Sequence, residues 1–211
     1  MKKWVFFDVM GVVFKVGDDT RDLLVPFIKR HNGATSTESL EALYMDASLG
    51  KITAADFWRT AVPDGNCRTL EREYLDGELT LDEQVPQVFA RLCAQYHIGL
   101  LSNDVSEWSR YLREKHALGE YLSGTVISGD VGFRKPSTEI YERALKLAEC
   151  APQDCIFIDD RVKNLYPAQA LGIKVIKFNR NDVFDPALDI SQVGEVGELP
   201  AVIDRLFDEY R

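Results

Sequence analysis

Residues 155–178 read CIFIDDRVKNLYPAQALGIKVIKF. CIFID (155–159) is a short, β-rich apolar run ending on a carboxylate, and IKVIKF (173–178) is a second such run. Between them, 161–171 carries apolar residues at helical spacing. Strand, helix and strand in succession are the signature of a parallel sheet covered on both faces.

The same rhythm extends outward over most of the chain. HIGLLS (97–102) and GTVISG (124–129) read as two more buried strands, with helices expected over 83–96, 105–118 and 137–149. A terminal helix is expected over 198–209, after an Asp/Pro/Gly-rich loop at 179–197. WVFFD (4–8) adds a fifth strand near the N-terminus. The right-handed crossover rule sets the C-terminal ends of all five strands along one edge, where doubly wound folds bind their ligands. The expected fold is therefore α/β, a doubly wound, Rossmann-like parallel sheet of about five strands.

Residues 16–80 break this rhythm, for they contain no convincing strand. Helices are expected near 20–31, 37–48, 54–60 and 68–76, with Thr35 to Glu38 arranged like a capping box and Thr53 as an N-cap. The economical reading is an all-α helical cap, 16–80, inserted after the first strand of a core made of 1–15 and 81–211.

Bulk properties limit the function. The 211 residues can bury a real core. With 25 Lys plus Arg against 34 Asp plus Glu, a net charge of −9, neither nucleic acid nor an anionic membrane surface is an expected partner. Cys67, Cys93, Cys150 and Cys155 lack CxxC spacing and a nearby histidine pair, so buried, reduced thiols in a cytoplasmic protein are expected. No signal peptide and no apolar segment of membrane-spanning length stands out.

Four positions along the sheet edge carry chemistry. Asp8 closes the first strand, Ser102 the second, Lys135 follows the third, and Asp159 and Asp160 close the fourth. A nucleophilic carboxylate, a hydroxyl, an ammonium and two more carboxylates would form a phosphoryl-transfer site once a hard cation joined them, and oxygen-only ligands favour Mg²⁺ over zinc. Each residue also has a plainer explanation. Asp8 could be satisfied by loop amides, Ser102 could cap the helix near 105, Lys135 could be a solvated loop cation, and Asp159 and Asp160 could be N-caps beside Arg161. Taken singly the plain explanations win. Taken together they do not account for the right group at each strand end in the right order.

FFDVMGVVF, LSND, GFRKPSTEIYERAL and CIFIDDRVKNLYPAQALGIKVI resemble, in order and spacing, the four motifs of the haloacid dehalogenase superfamily of Asp-nucleophile hydrolases. The resemblance covers essentially the whole chain, with 16–80 as that family's helical cap, and is strongest to the bacterial sugar-phosphatase group that includes glucose-1-phosphate phosphatases. It implies a Mg²⁺-dependent phosphatase for a small phosphorylated metabolite. By the same resemblance, Asp8 attacks phosphorus to give an aspartyl-phosphate, and Asp8, the Met10 backbone carbonyl, Asp159 and Asp160 hold the metal. Ser102 and the Asn103 amide would hold phosphoryl oxygens, Lys135 would balance charge, and Asn164 would orient the fourth loop or simply lie on an exposed helix turn.

One position departs from the pattern. The family's phosphatases usually carry a second Asp two residues after the nucleophile, as general acid, and here that position is Met10. Loss of a positioned acid costs roughly 10²–10⁴ in rate. One reading is a phosphatase whose leaving group needs little protonation, or whose acid is a water or a cap residue. A second is a 2-haloacid dehalogenase, whose relatives also lack the acid, with Arg21 as a weak halide-binding candidate. A third is a catalytically degenerate binder of a phospho-ligand or protein partner. A distant fourth, a phosphonate-cleaving enzyme, would need Lys51 as its cap lysine. Tyr44, Met45, Phe57, Trp58 and Arg59 are candidates to face the substrate from the cap, although apolar residues at helical spacing are more often cap core. His31, His97 and His116 show no spacing that suggests catalysis, and Trp108 and Tyr111 are expected to pack their helix on the sheet or to serve an interface.

Overall fold

The computed structural model describes residues 2–180 and 183–208. Six parallel strands form one sheet in the order β3-β2-β1-β4-β5-β6. They are β1 (Trp4–Phe7), β2 (His97–Ser102), β3 (Leu122–Ile127), β4 (Cys155–Asp159), β5 (Lys174–Phe178) and β6 (Ser191–Val193). The helices are α1 (Val25–His31), α2 (Thr37–Ser48), α3 (Ala54–Ala61), α4 (Cys67–Gly77), α5 (Val85–Cys93), α6 (Ser106–Lys115), α7 (Ser128–Val131), α8 (Thr138–Ala148), α9 (Val162–Ala170) and α10 (Leu199–Asp208).

β1 is central, and every one of its side chains is buried. Successive residues of a strand point to opposite faces, so its aromatic-rich run serves two cores at once. Val5 and Phe7 join Leu100, Ile158 and Phe89 on one face, whereas Trp4 and Phe6 join Leu101, Phe157 and Tyr141 on the other. A fully buried Phe or Leu contributes about 1.5–3 kcal/mol relative to exposure, which is why this strand tolerates no polar residue before its end. Register aligns Phe7 with Leu100 of β2 and Ile158 of β4, and the Asp8 amide donates to the Ile158 carbonyl at 2.8 Å. The residue after Phe7 thus lies level with the ends of both neighbouring strands.

Five expected strands are present, and a sixth lies inside the expected loop. β6 has three residues, pairs with β5 through Ile176–Ser191, Lys177–Gln192 and Phe178–Val193, and is too short to show alternation. β3 starts and ends two residues earlier than expected, and SGDV turns into α7. The terminal helix ends at Asp208 among the described residues; the expected helix position 209 lies outside them.

The named elements between β1 and α5 are all helical, as expected, and α1 is entered through a π-helical turn at Thr20–Leu24. Thr53 does cap α3, in a reciprocal capping box with Asp56. The cap of α2 is Ser36 rather than Thr35, its hydroxyl accepting from the Ser39 amide at 3.2 Å. Phe27, Phe57, Trp58 and Tyr74 fill the interior of this helical insertion. Trp108 and Tyr111 of α6 correct the sequence expectation: they face the insertion. The Trp108 indole donates to Glu71 at 2.9 Å and its ring packs on Phe57 and Tyr74, while Tyr111 donates to Asp76 at 2.7 Å. The two chain crossings into the insertion run side by side. Phe14 bridges Leu81, and Lys15 donates its amide to the Thr80 carbonyl at 2.9 Å.

Candidate active site

The strand ends converge as the topology requires. Asp8 and Ser102 are buried at the ends of β1 and β2, and Asp159 is fully buried at the end of β4. Lys135 reaches them from the loop before α8. Its ammonium lies 2.7 Å from Asp8 Oδ1 and 2.8 Å from Asp159 Oδ2, in a position where the lysine is only 5% exposed. Burial pulls its pKa down, and the two carboxylates more than reverse that, leaving it above the ordinary lysine value.

Asp8, Asp159 and Asp160 bring carboxylate oxygens within 4.8 Å of one another. Burial, then the Asp159 charge, push the Asp8 carboxyl well above the usual range, against the opposing pull of Lys135. Burial and Asp159 raise Asp160 to about 6. Lys135 and the more distant Arg161, 4.0 Å from Asp160 Oδ1, are two cations against three carboxylates, and that oxygen is buried with no hydrogen-bond partner. An oxygen-only, acid-rich, undersatisfied group of this kind fits a hard divalent cation. The backbone is cut to match. Gly11, at φ +89°, would place a Cβ 2.5 Å from Asp160 Oδ2 and 2.6 Å from its Cγ, so a side chain there would be strained and would displace this carboxylate, and a Cβ on Gly17 would also lie 2.5 Å from Oδ2.

Asp159 is tied differently from Asp160. Asn164 donates to both of its oxygens at 3.0 Å and the Arg161 amide donates to Oδ1 at 2.7 Å, in addition to Lys135. Asn164 is thus a buried clamp on Asp159, not an exposed helix residue. The capping explanations fail here: the N-cap positions of α9 and α6 are Arg161 and Val105, neither with a side-chain cap, so the two aspartates and Ser102 do not occupy them. Asn103 locks the lysine loop. Its side chain accepts from the Lys135 amide at 2.7 Å and donates to the Lys135 carbonyl at 2.9 Å.

Asp8, Ser102, Asn103, Lys135 and Asn164 line a cavity of about 60 Å³, with Met10 in its wall and Asp159 and Asp160 outside its lining. A larger, open groove of about 710 Å³ along α4 shares no residue with it and gathers no comparable group of buried acids, so volume does not select the site. Sequence reasoning missed five other residues of the lining: Asp18, Asp19, Thr20, Arg134 and Arg161. The run GDDT at 17–20 and the Arg preceding Lys135 were the available signals. Of the cap candidates only Tyr44 lines the cavity, donating to the Asn103 carbonyl at 3.3 Å. Phe57 and Trp58 are core, Met45 is exposed, and Arg59 pairs with Asp56 at the surface. Arg21 is exposed and pairs with Glu41, and Lys51 is exposed and pairs with Asp46. Neither lines the cavity.

Residues 2–172 match the model of the haloacid dehalogenase-like hydrolases. The chain belongs to that family. Within the haloacid dehalogenase-like hydrolases it is similar to a D-ribitol-5-phosphate phosphatase of Bacteroides thetaiotaomicron, 25% identical over 84% of this chain and 92% of the relative. It is also similar to a glyceraldehyde 3-phosphate phosphatase of Pyrococcus furiosus, 26% identical over 53% of this chain. The match spans 48% of that relative, about half its length. A haloacid dehalogenase family enzyme from Bacteroides thetaiotaomicron, solved in complex with magnesium and inorganic phosphate, shares the fold. Its TM-score is 0.73 at 21% identity, over 88% of this chain and 98% of the other. Among the described residues no helix is long and apolar enough to cross a membrane.

Proposed function

We propose that this hydrolase is a Mg²⁺-dependent phosphatase acting on a small phosphorylated metabolite, a sugar phosphate, through an aspartyl-phosphate on Asp8. The observation that carries the reading is Lys135 held between Asp8 and Asp159, while in the same acidic group Asp160 Oδ1 accepts no hydrogen bond and has only the Arg161 guanidinium at 4.0 Å. The names of the phosphatase relatives support the substrate class.

Asp8 would attack phosphorus with Oδ2, because Oδ1 is held by Lys135 and by the Val9 amide at 2.7 Å. Ser102 and the Asn103 amide would hold the phosphoryl oxygens. Lys135 would balance the charge on both the phosphoryl group and Asp8. Asp8, the Met10 carbonyl and Asp160 would hold the metal, with Asp159, already engaged at both oxygens by Asn164, completing the acidic group directly or through water. Bound there, Mg²⁺ supplies neutralisation of the carboxylates and polarises the phosphoryl group. Residues 16–80 act as the cap that covers a core of 1–15 and 81–211. The free thiols suit a reducing compartment such as the cytoplasm.

The test is hydrolysis of 4-nitrophenyl phosphate. Wild type is expected to turn it over with Mg²⁺ and not with EDTA, and Asp8→Asn is expected to lose at least about 10³-fold. Turnover that survives Asp8→Asn, or none in wild type, would refute the reading. Chloride release from 2-chloropropionate in EDTA would favour a dehalogenase instead.

A further inference from the structure

With Met10 in the usual place of the acid, the carboxyl groups that line the same cavity are the candidates for its role. Three carboxyl groups line that cavity among the described residues: Asp8, Asp18 and Asp19. Asp8 is engaged by Lys135, and Asp18 is 41% exposed and faces Arg161 at 3.7 Å. Asp19 is 9% exposed and forms no ion pair among the described residues. The other polar groups on the wall do not suit the task. Arg134 and Arg161 do not give up a proton, and burial holds the Tyr44 hydroxyl well above its ordinary pKa.

We propose that Asp19 is the general acid of this hydrolase, protonating the leaving alkoxide in place of the residue that Met10 has supplanted. The inference rests on the phosphatase reading above. In the first half-reaction an Asp8 oxygen bonds to phosphorus, the bond from phosphorus to the ester oxygen breaks, and that oxygen takes the Asp19 proton to leave as an alcohol. In the second, water bonds to phosphorus, the Asp8–phosphorus bond breaks, and the water proton returns to the Asp19 carboxylate. The sum is ester plus water to alcohol plus phosphate.

The surroundings favour a carboxyl that keeps its proton. Burial raises the Asp19 pKa to about 6, with Arg161 and Arg134 opposing and Asp18 reinforcing. From the elements packed around it, Tyr44 on α2, Tyr74 on α4 and Asp104 after β2 also face it electrostatically. Asp104 is itself buried, and its Oδ2 has no partner. A buried acid set among other acids and phenols is the environment in which a carboxyl can donate near neutrality.

The discriminating measurement is the dependence of kcat/KM on the leaving group, from 4-nitrophenyl to benzyl phosphate. In wild type the two esters are expected to differ by less than about tenfold, since a positioned acid levels leaving groups. Asp19→Asn, which keeps size and shape, is expected to lose at least about 10²-fold on the benzyl ester and no more than about threefold on the nitrophenyl ester. Equal losses on both esters would overturn the assignment while leaving the phosphatase reading intact. A wild-type difference of 10²-fold or more would overturn it without any variant, even if Asp19→Asn does not fold. Absence of Asp8-dependent turnover of either ester would remove the phosphatase reading and this inference together.

Discussion

Lys135→Met removes the ammonium and keeps most of the side-chain volume, so it isolates a charge effect. The nitrogen lies 2.7 Å from Asp8 and 2.8 Å from Asp159, both buried. At an effective dielectric constant of about 20, each attraction amounts to about 6 kcal/mol before desolvation. The lysine's own desolvation is recovered in the variant, and the net loss on breaking such a buried pair is about 3–5 kcal/mol. The sign of the pH dependence follows from proton binding. Asp8 already holds its proton more tightly folded than unfolded, and without the ammonium it does so further. A native state that binds more protons than the unfolded chain becomes less stable as pH rises. Urea unfolding without metal is therefore expected to show a loss of about 3–5 kcal/mol at pH 8 and less than half of that at pH 5.5. Millimolar Mg²⁺ should recover part of the pH 8 loss, since a ligand of the native state stabilises it. An equal loss at both pH values, unmoved by Mg²⁺, would refute the reasoning and reduce Lys135 to a packing residue.

Three further outcomes are expected. Gly11→Ala, forced to φ +89° with its Cβ against Asp160, should weaken Mg²⁺ binding measured by calorimetry by about tenfold or more and destabilise the fold by about 1–2 kcal/mol. Asp104→Asn should stabilise the chain by on the order of 4 kcal/mol at pH 8, because burial raises the native carboxyl to about 8 from 3.8. Wild-type stability falls as pH rises through that window, so the gain should vanish near pH 4; a pH-independent gain would contradict it. Arg21→Ala and Lys51→Ala, which break exposed pairs outside the cavity, should change stability by less than about 1 kcal/mol and leave kcat/KM on 4-nitrophenyl phosphate unchanged; a tenfold fall in either would show that it reaches substrate.

The parts of the fold that read directly from the sequence are those specified by continuous burial. CIFID and WVFFD are apolar up to their closing aspartates because sheet neighbours and helices cover both faces. β6 was illegible because three residues at an edge carry no pattern, and the bonds from Asn179 to the Val193 carbonyl and the Gln192 side chain leave no local signal. The insertion's helices were legible from their caps and spacing. Their seating on α6 was not, since Trp108 looks the same in sequence whether it packs on a sheet or on Phe57 and Tyr74. The site divides in the same way. Asp8, Ser102, Asp159 and Asp160 are strand ends, so topology alone gathers them. Asn103, Asn164 and Asp19 depend on how loops fold back. That Asn103 grips the Lys135 backbone, or that Asn164 faces Asp159 rather than water, is decided by contacts 32 and 5 residues apart that no local pattern encodes.

β1 has a hydrogen-bonded strand on each side, and this sets an order of disassembly. The amides of Val5, Phe6 and Phe7 can meet solvent deuterium only when the sheet itself parts, whereas the insertion hangs from the sheet by the paired crossings at 13–15 and 80–82. The nucleophile is therefore mounted on what opens last, and the acid we assign to Asp19 on what can open first. Molecules with a loosened insertion would retain the power to be phosphorylated by activated esters after losing the ability to choose or release a sugar.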